Sequence, residues 1–299
     1  MNKKTSDLRY RTIIHTLSTV LLAFFLFAAE YQSLRWVFAA AVGSIAGITL
    51  WEYYQLVRQK GFSPAHTLGI IASILYVFAI FFKTQGPHPY WESMWQKAPE
   101  MVLGIAFFAC FVCYGCTGKE PIVNIATTFL GIVYIAVPLG LILRIMYFFN
   151  FGGTPDPYFQ GSWWVVYLIA VTKMADMGGY FVGRFFGKRK LAFKISPNKT
   201  LEGALGGLIS SLCVSLVICY LGKRFGHVFL GFSYLSSIWL GILIGILGQM
   251  GDLAESMLKR DADVKDSNSI PGVGGVLDTV DSILFTSPLV YFFLRVLYT

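Results

Sequence analysis

The sequence predicts an all-α fold, a polytopic integral membrane helical bundle with about nine transmembrane helices. Of its 299 residues, 56% are hydrophobic and only 13% are charged, which is about half the charged share of a soluble domain. The apolar residues form long runs, as membrane spans of roughly 20 residues require. The polar residues are concentrated in a few segments between those runs. These observations exclude a soluble globular protein.

Nine apolar runs have lengths close to that of a membrane span, and we interpret each as one span. They cover residues 12–29, 36–57, 67–82, 100–117, 122–149, 163–182, 203–221, 234–251 and 283–298. The first run is longer than the apolar stretch of a signal peptide, so we expect it to be retained. The fifth run exceeds one crossing, and Pro138 with Gly140 predicts a kink within a single span.

Lysine and arginine are distributed unevenly between the two sides of the predicted bundle. Loops on the side of the N-terminus carry 16 of the 24 basic residues, and the opposite loops carry 6. Basic loops are retained in the cytoplasm. We therefore expect a cytoplasmic N-terminus and cytoplasmic loops at 183–202 and 252–282, in a bacterial-type inner (plasma) membrane. The net charge of +8 reflects this topology and attraction to anionic headgroups, and we expect no nucleic-acid partner.

Three carboxylates make the second cytoplasmic segment a candidate metal site. Asp252 follows the eighth run, and Asp278 and Asp281 are three residues apart, which places them on one face of any helix there. Converging carboxylates repel one another unless a cation lies between them. Hard oxygen ligands suit Mg²⁺, which is usually held together with substrate phosphates. Solvated loop charges are the alternative interpretation.

Cationic residues and glycines accompany these carboxylates. Lys259, Arg260 and Lys265 supply positive charge, although a solvated helix face explains them equally well. Gly274 and Gly275 belong to a glycine-rich turn. Such a turn lets backbone N–H groups approach an anion, or it simply reverses the chain.

A second group of polar residues follows the sixth run. Asp176 lies near the end of that run, and ionisable residues at such depth tend to pair or to face a polar cavity. Further along, Ser196, Lys199 and Thr200 bring two hydroxyls and an ammonium together. The glycine-rich start of a P-loop is missing, but these groups could still contact phosphate.

Together these residues resemble the signatures of the phosphatidate cytidylyltransferase family, also called CDP-diacylglycerol synthases. The family's C-terminal signature is S-x-x-K-R-x4-K-D, then P-x-H-G-G, then D-R-x-D. It is matched by Ser256, Lys259, Arg260, Lys265, Asp266, Pro271, Gly274, Gly275, Asp278 and Asp281. The upstream pattern, D-x-x-x-Y-x-x-G-R and then S-P-x-K-T-x-E-G, is matched by Asp176, Tyr180, Gly183, Arg184, Ser196, Pro197, Lys199, Thr200, Glu202 and Gly203. Residues 1–160 resemble the family only in hydropathy.

The chain departs from the family pattern at three points. Val273 replaces the family's histidine, Thr279 replaces its arginine, and the stretch from Asp266 to Pro271 is one residue short. The carboxylates are retained. The departures bear on nucleotide phosphate contacts, and therefore on the activity level or the choice of substrate.

The resemblance implies a Mg²⁺-dependent nucleotidyltransferase that converts CTP and phosphatidic acid to CDP-diacylglycerol and pyrophosphate in phospholipid biosynthesis. It implies N-terminal transmembrane helices in residues 1–160 and a catalytic region in residues 161–299. We assign Asp252 and Asp278 as metal ligands, with Asp281 as a third metal ligand or as a residue that orients one. These three form the catalytic set with Lys259 and Lys265. The implied substrate-binding residues are Asp176, Arg184, Ser196, Lys199, Thr200, Glu202, Arg260, Asp266, Gly274 and Gly275. A second, monovalent cation and a homodimer are left open.

Two other functions compete with this interpretation. Related membrane enzymes include CTP-dependent kinases of isoprenoid alcohols and cytidylyltransferases of ether lipids, which would keep CTP and change the acceptor. A transporter would carry ionisable residues through several spans or a repeated pair of interrupted helices. The runs contain mainly Arg144, Lys173 and Asp176 as ionisable residues, and the sequence has no convincing internal repeat.

Overall fold

The computed structural model describes residues 21, 23–85, 92–117, 120–151, 157–193, 195–225, 232–264 and 275–298. Its α-helices are α1 (Arg35–Gln59), α2 (His66–Thr84), α3 (Glu92–Thr117), α4 (Pro121–Gly131), α5 (Val137–Met146), α6 (Pro157–Phe186), α7 (Leu201–Phe225), α8 (Tyr234–Asp261) and α9 (Val276–Tyr298). Short 3₁₀ turns lie at Gln32–Leu34 and Phe148–Phe151. Two antiparallel strands, β1 (Lys190–Ala192) and β2 (Ser196–Thr200), form a hairpin between α6 and α7. The predicted helical bundle is confirmed, with this hairpin as an addition.

Eight candidate membrane spans lie within the described residues, from Gln32–Gln59 to Val276–Tyr298. They correspond to the second through ninth predicted spans. The first predicted span, residues 12–29, lies mostly outside the described residues, although residues 23–30 are helical. The protein is therefore a polytopic integral membrane protein, as predicted.

The long fifth run forms one span, Pro121–Met146, as predicted. A π-helical segment, Ile132–Ala136, joins α4 to α5 within it. Pro138 lies two residues after this segment and has no N–H to donate, so the regular i→i−4 hydrogen-bond pattern cannot continue through it. We attribute the π segment to this proline, because a widened turn lets the helix continue past the missing donor.

Both predicted cytoplasmic loops are shorter than the sequence suggested. Helix α6 continues to Phe186 and α7 begins at Leu201, so the first loop loses residues at both ends. Helix α8 continues to Asp261 and α9 begins at Val276, which removes residues 252–261 and 276–282 from the second loop. Hydropathy shows where a helix stops being apolar, but it does not show where the helical hydrogen bonds end.

By its internal contacts the chain divides into two compact units. The first comprises residues 1–140 and 262–279, and the second comprises residues 141–261 and 280–299. This division describes packing. The predicted boundary between residues 160 and 161 concerns function, and it stays a prediction.

In the first unit, side chains of α4 hold the turn between α1 and α2. The Ser63 N–H donates to Asn124 Oδ1 at 2.8 Å, and the Ala65 N–H donates to Thr128 Oγ1 at 3.0 Å. The Tyr54 hydroxyl donates to the carbonyl oxygen of Thr128 at 2.8 Å. Backbone groups at a helix end in a membrane protein need such partners, because lipid offers none.

In the second unit, small residues allow α6, α7 and α8 to pack closely. A Cβ atom added to Gly206 in α7 would collide with Val182 in α6. A Cβ atom added to Gly241 in α8 would lie 2.8 Å from Ser215 Cβ in α7. Close backbone approach through small residues is the usual way for helices to associate in a membrane. This packing fixes the elements that carry the upstream motif.

Candidate active site

A cavity of about 410 Å³ lies in the second unit and falls within the volume range of small-molecule sites. Its walls come from the C-terminal halves of α6 and α8, the β1–β2 hairpin and the first turns of α7. Its lining includes charged side chains of both signs, two amides and a hydroxyl: Asp176, Arg184, Asn198, Lys199, Thr200, Gln249 and Asp252. Five of these seven are residues that the sequence assigned to the site.

Three glycines let the backbone itself form one wall of the cavity. A Cβ atom on Gly203 would lie 2.8 Å from the carbonyl oxygen of Gly179 and 3.1 Å from Gly183 Cα. All three glycines line the cavity. A side chain at Gly203 would separate α6 from α7, so this wall depends on the absence of Cβ.

Lys199 and Asp252 form an ion pair at the cavity wall. Lys199 lies in β2 and Asp252 in α8, and their Nζ and Oδ2 atoms are 2.8 Å apart. The lysine side chain is 22% exposed and the aspartate side chain is 40% exposed. A predicted phosphate contact and a predicted metal ligand are thus paired at the cavity wall, where the Asp252 side chain is partly exposed and the Lys199 Nζ atom is buried.

Two other predicted substrate-binding residues hold the hairpin that carries Lys199. Glu202 Oε2 accepts hydrogen bonds from the N–H groups of Lys188 at 2.9 Å and Arg189 at 3.1 Å. Arg260 Nε donates to the carbonyl oxygen of Ile195 at 3.2 Å. Neither residue lines the cavity. Their contacts fix the hairpin backbone and so act on the position of Lys199.

Ser196 and Thr200 mark the two ends of β2. Ser196 begins the strand and does not line the cavity, whereas Thr200 does. Thr200 Oγ1 accepts a hydrogen bond from the Gly203 N–H at 3.1 Å, which makes it the N-cap of α7. The positive end of the α7 dipole therefore points at the cavity, which favours anions.

Helix α6 contributes charges of both signs. Lys173 Nζ lies 3.5 Å from Asp176 Oδ2, one helical turn away. Arg184, near the end of α6, is exposed and donates to the Tyr180 hydroxyl at 2.8 Å. The sequence predicted that ionisable residues at this depth pair or face a polar cavity, and Asp176 does both.

Helix α9 crosses α8 closely at Gly251, next to Asp252. A Cβ atom on Gly251 would lie 2.5 Å from the carbonyl oxygen of Asp281 and 3.0 Å from Ser282 Cα. The Ser282 hydroxyl donates to Asp176 Oδ1 at 3.2 Å. As a result, the carboxylates of Asp176, Asp252 and Asp281 are close enough to repel one another electrostatically.

Lys259 is paired within its own helix. Its Nζ atom lies 2.7 Å from Glu255 Oε2, and both side chains are largely buried, at 13% and 2% exposure. The two residues form an i, i+4 pair, and a solvated helix face does not fit this burial. Lys259 does not line the cavity.

Gly275 and Asp278 lie in the first unit, at the start of α9. Gly275 precedes the helix, and its N–H donates to Asp278 Oδ2 at 3.4 Å. This is the N3-to-N-cap half of a capping box. Asp278 and Asp281 therefore lie on a helix, three residues apart, where the sequence had predicted a loop.

Sequence reasoning missed Glu52, which is fully buried in α1. Its two carboxylate oxygens accept hydrogen bonds from the N–H groups of Val276 at 3.0 Å and Leu277 at 2.7 Å. The available signal was an acidic residue within the second apolar run, since an ionisable residue inside a span is a functional candidate.

Lys265, Asp266 and Gly274 lie outside the described residues. Within the part of the chain that the structure describes, no group of three or more His, Cys, Asp or Glu side chains is arranged to hold a metal ion. The assignment of Asp252, Asp278 and Asp281 as metal ligands therefore stays a prediction.

The sequence profile of the cytidylyltransferase family matches residues 9–297. The chain belongs to this family. Its relatives include the phosphatidate cytidylyltransferase of Chlamydia pneumoniae, which is 31% identical over 97% of this chain and 92% of the relative. The enzymes of that name from Chlamydia muridarum and Synechocystis are each 34% identical, over 96% and 88% of this chain and 92% and 89% of the relatives.

The predicted family is confirmed, and with it the predicted class of enzyme: the protein is a nucleotidyltransferase. One expectation was wrong. The match begins at residue 9, so residues 1–160 resemble cytidylyltransferases in more than hydropathy.

Proposed function

We propose that this cytidylyltransferase converts CTP and phosphatidic acid to CDP-diacylglycerol and pyrophosphate, for phospholipid biosynthesis. The observation that carries the proposal is the Lys199–Asp252 ion pair in a cavity large enough for a small-molecule ligand. A lysine and a carboxylate on one wall suit a triphosphate and the cation that accompanies it. The names of the relatives support phosphatidic acid as the acceptor.

The proposed reaction needs little covalent chemistry from the protein. A phosphate oxygen of the lipid attacks the α-phosphorus of CTP, and the bond from that phosphorus to the β-phosphate bridging oxygen breaks. Pyrophosphate leaves with that electron pair. The nucleophile is already anionic, so a dedicated general base is not required. The protein must instead bring two polyanions together and stabilise the charge on the leaving group.

The described residues can supply those functions. Lys199 and Arg184 line the cavity and carry the positive charge that phosphates need. Thr200 and the α7 N-terminus add hydrogen-bond donors and a favourable dipole at the same wall. In this proposal Glu202 and Arg260 act by holding the hairpin, and Lys199 makes the phosphate contact.

The donor chemistry also fits Mg²⁺. Asp176 and Asp252 line the cavity, and Asp281 interacts electrostatically with both. Mg²⁺ is usually held by one or two carboxylates, and substrate phosphates and water complete its coordination. We propose Asp252 and Asp278 as its ligands, with Asp281 as a third ligand or as a residue that orients one of them. When bound, the ion would neutralise charge that develops on pyrophosphate.

The membrane fold gives the lipid substrate a direct route. The acyl chains of phosphatidic acid can remain in the bilayer while the headgroup reaches a polar site at its edge. The distribution of lysine and arginine supports a cytoplasmic location for that site, where CTP is available. Inner-membrane residence and a cytoplasmic N-terminus are parts of this proposal.

The test is a product assay with the purified full-length protein in mixed micelles that contain phosphatidic acid and Mg²⁺. With CTP labelled at the α-phosphorus, we expect labelled CDP-diacylglycerol. With CTP labelled at the γ-phosphorus, we expect the label in pyrophosphate and none in lipid. Chelation of Mg²⁺ should abolish both products.

Parallel reactions with an isoprenoid alcohol and with an ether-linked phosphatidic acid analogue test the competing acceptors. Transfer of the γ-label to the alcohol would replace the proposal with a kinase. If the ether lipid were converted faster than phosphatidic acid, the proposed acceptor would be wrong and the proposed cytidylyl transfer would stand. Absence of lipid product from every acceptor would refute the proposed function.

A further inference from the structure

Glu52 is a carboxylate buried inside a membrane-spanning helix. Its side chain has no exposed surface, and it lies between Trp51 and Tyr53 in α1. A charge in such a position is costly unless strong hydrogen bonds satisfy it. Its Oε1 and Oε2 atoms accept from the N–H groups of Val276 at 3.0 Å and Leu277 at 2.7 Å.

These two N–H groups belong to the first two residues of α9. The first four N–H groups of an α-helix have no acceptor within the helix, and the helix dipole adds partial positive charge there. Glu52 therefore provides both the acceptors and the counter-charge for this helix start. The carboxylate of Asp278 provides a third acceptor, through the Gly275 N–H.

The chain thus holds the beginning of α9 in two ways. The Asp278 contact is local, within the first turn. The Glu52 contact joins residues 224 positions apart in the sequence, from the second apolar run to the end of the glycine-rich segment. A local cap starts the helix, whereas the distant carboxylate fixes that start against α1.

We infer that Glu52 is a positioning residue: it fixes the first turn of α9 and thereby the placement of Asp278 for the reaction. The inference rests on the proposed function, in which Asp278 is an assigned metal ligand. Glu52 acts through the backbone N–H groups of Val276 and Leu277.

Hydrogen exchange measured by mass spectrometry on the full-length protein tests the anchor without any need for activity. The variants are Glu52→Ala, Glu52→Gln and, as a matched control, Tyr54→Phe, which removes a buried hydroxyl from the same helix. We expect amide exchange at Val276 and Leu277 to accelerate about tenfold or more in Glu52→Ala, because their acceptors are lost. Glu52→Gln keeps one oxygen and should show a smaller change.

In Tyr54→Phe, exchange at Val276 and Leu277 should match the wild type. Unchanged exchange in both Glu52 variants would overturn the anchor. If Glu52→Ala does not fold, Glu52→Gln decides the question, because it has nearly the same shape and lacks only the charge and one acceptor.

A Mg²⁺ titration of CTP turnover tests the consequence for the reaction. Loss of an outer residue that orients a metal ligand typically costs about 10–100-fold in metal affinity or activity. We therefore expect Glu52→Ala to raise the half-saturating Mg²⁺ concentration and lower kcat within that range, with Glu52→Gln in between. Tyr54→Phe should stay within about twofold of wild type on both values.

A merely structural role would reduce the amount of folded protein and leave kcat and the half-saturating Mg²⁺ concentration of the folded fraction unchanged. That result would overturn the positioning role. If the wild-type protein makes no lipid product, the proposed function fails, and the exchange measurement still decides whether Glu52 anchors α9.

Discussion

Glu52 in α1 and Asp252 in α8 are both acidic residues in membrane-spanning helices, but they are satisfied in opposite ways. Glu52 is fully buried, and both its oxygens accept from backbone N–H groups. Asp252 is 40% exposed and faces the flexible side chain of Lys199. A backbone partner cannot rotate away, whereas a lysine can turn to another anion. The first arrangement suits an anchor, and the second suits a site that exchanges partners with a ligand.

The largest effect should follow from Asp252→Asn, which tests whether the exposed acid is functional. The change keeps the shape and removes the charge that a cation and Lys199 both require. We expect lipid product formation at saturating CTP to fall by about 100-fold or more, as for loss of a charge that stabilises a transition state. The rate of label transfer from α-labelled CTP measures this.

Glu100→Gln is the matched control for that variant. Glu100 pairs with Lys83 at 3.0 Å, but it is 60% exposed and belongs to the first unit. Exposed ion pairs contribute about 0–1 kcal/mol to stability, so activity and stability should both change little. If Asp252→Asn and Glu100→Gln lost activity equally, the effect of Asp252→Asn would not be specific to the candidate active site.

The partner of Asp252 should have the next largest effect. Lys199→Met keeps the aliphatic stem and removes the ammonium, so phosphates lose one charge-assisted contact worth about 1.5–3 kcal/mol. We expect kcat/KM for CTP to fall roughly 10–100-fold, which is the corresponding range. Lys83→Met serves as the control, and steady-state kinetics in CTP concentration give the values.

Combining Lys199→Met with Asp252→Asn sharpens the comparison further. If the two residues act as a unit, the double variant should lose less than the product of the two single losses. Fully multiplicative losses would mean that the ion pair is incidental, and that each residue acts alone.

The kind of contact decides how much of the fold and of the candidate site could be predicted from the sequence. The hydropathy pattern predicted the helical spans because burial in lipid acts on every residue of a span. The motifs predicted Asp176, Lys199 and Asp252, which the structure brings to one cavity or its wall. The β1–β2 hairpin was not predicted, because strands of 3 and 5 residues are too short to show a period.

Contacts with the backbone were the hardest to predict. Glu52 accepts hydrogen bonds from the backbone N–H groups of Val276 and Leu277. The residue types at these two positions do not show that their N–H groups bind a distant carboxylate. The crossing at Gly251 and Asp281 is similar, because a glycine shows that something can approach but not what approaches. In both cases the sequence indicated an unusual residue and could not indicate its partner.

Packing between α6 and α7 offers a test that involves no charge. In Gly206→Ala the added methyl would collide with Val182, next to the cavity residue Gly183. Overpacking of this kind costs about 1–3 kcal/mol, so the thermal midpoint in detergent should fall. Gly104→Ala in α3 is the control, since a Cβ atom there meets nothing within 4 Å. A midpoint that falls equally in both variants would contradict the close crossing.

The smallest effect should come from Glu202→Gln, which separates the hairpin's support from the cavity itself. Glu202 accepts from the N–H groups of Lys188 and Arg189 and does not line the cavity. Glutamine keeps one acceptor oxygen and loses the charge, so the hairpin should loosen only in part. We expect roughly a two- to fivefold loss of kcat/KM, because charge-assisted hydrogen bonds are about twice as strong as neutral ones. A loss as large as that of Lys199→Met would instead mean that Glu202 contacts the substrate, as the family resemblance implied, and the hairpin would then move when the substrate binds.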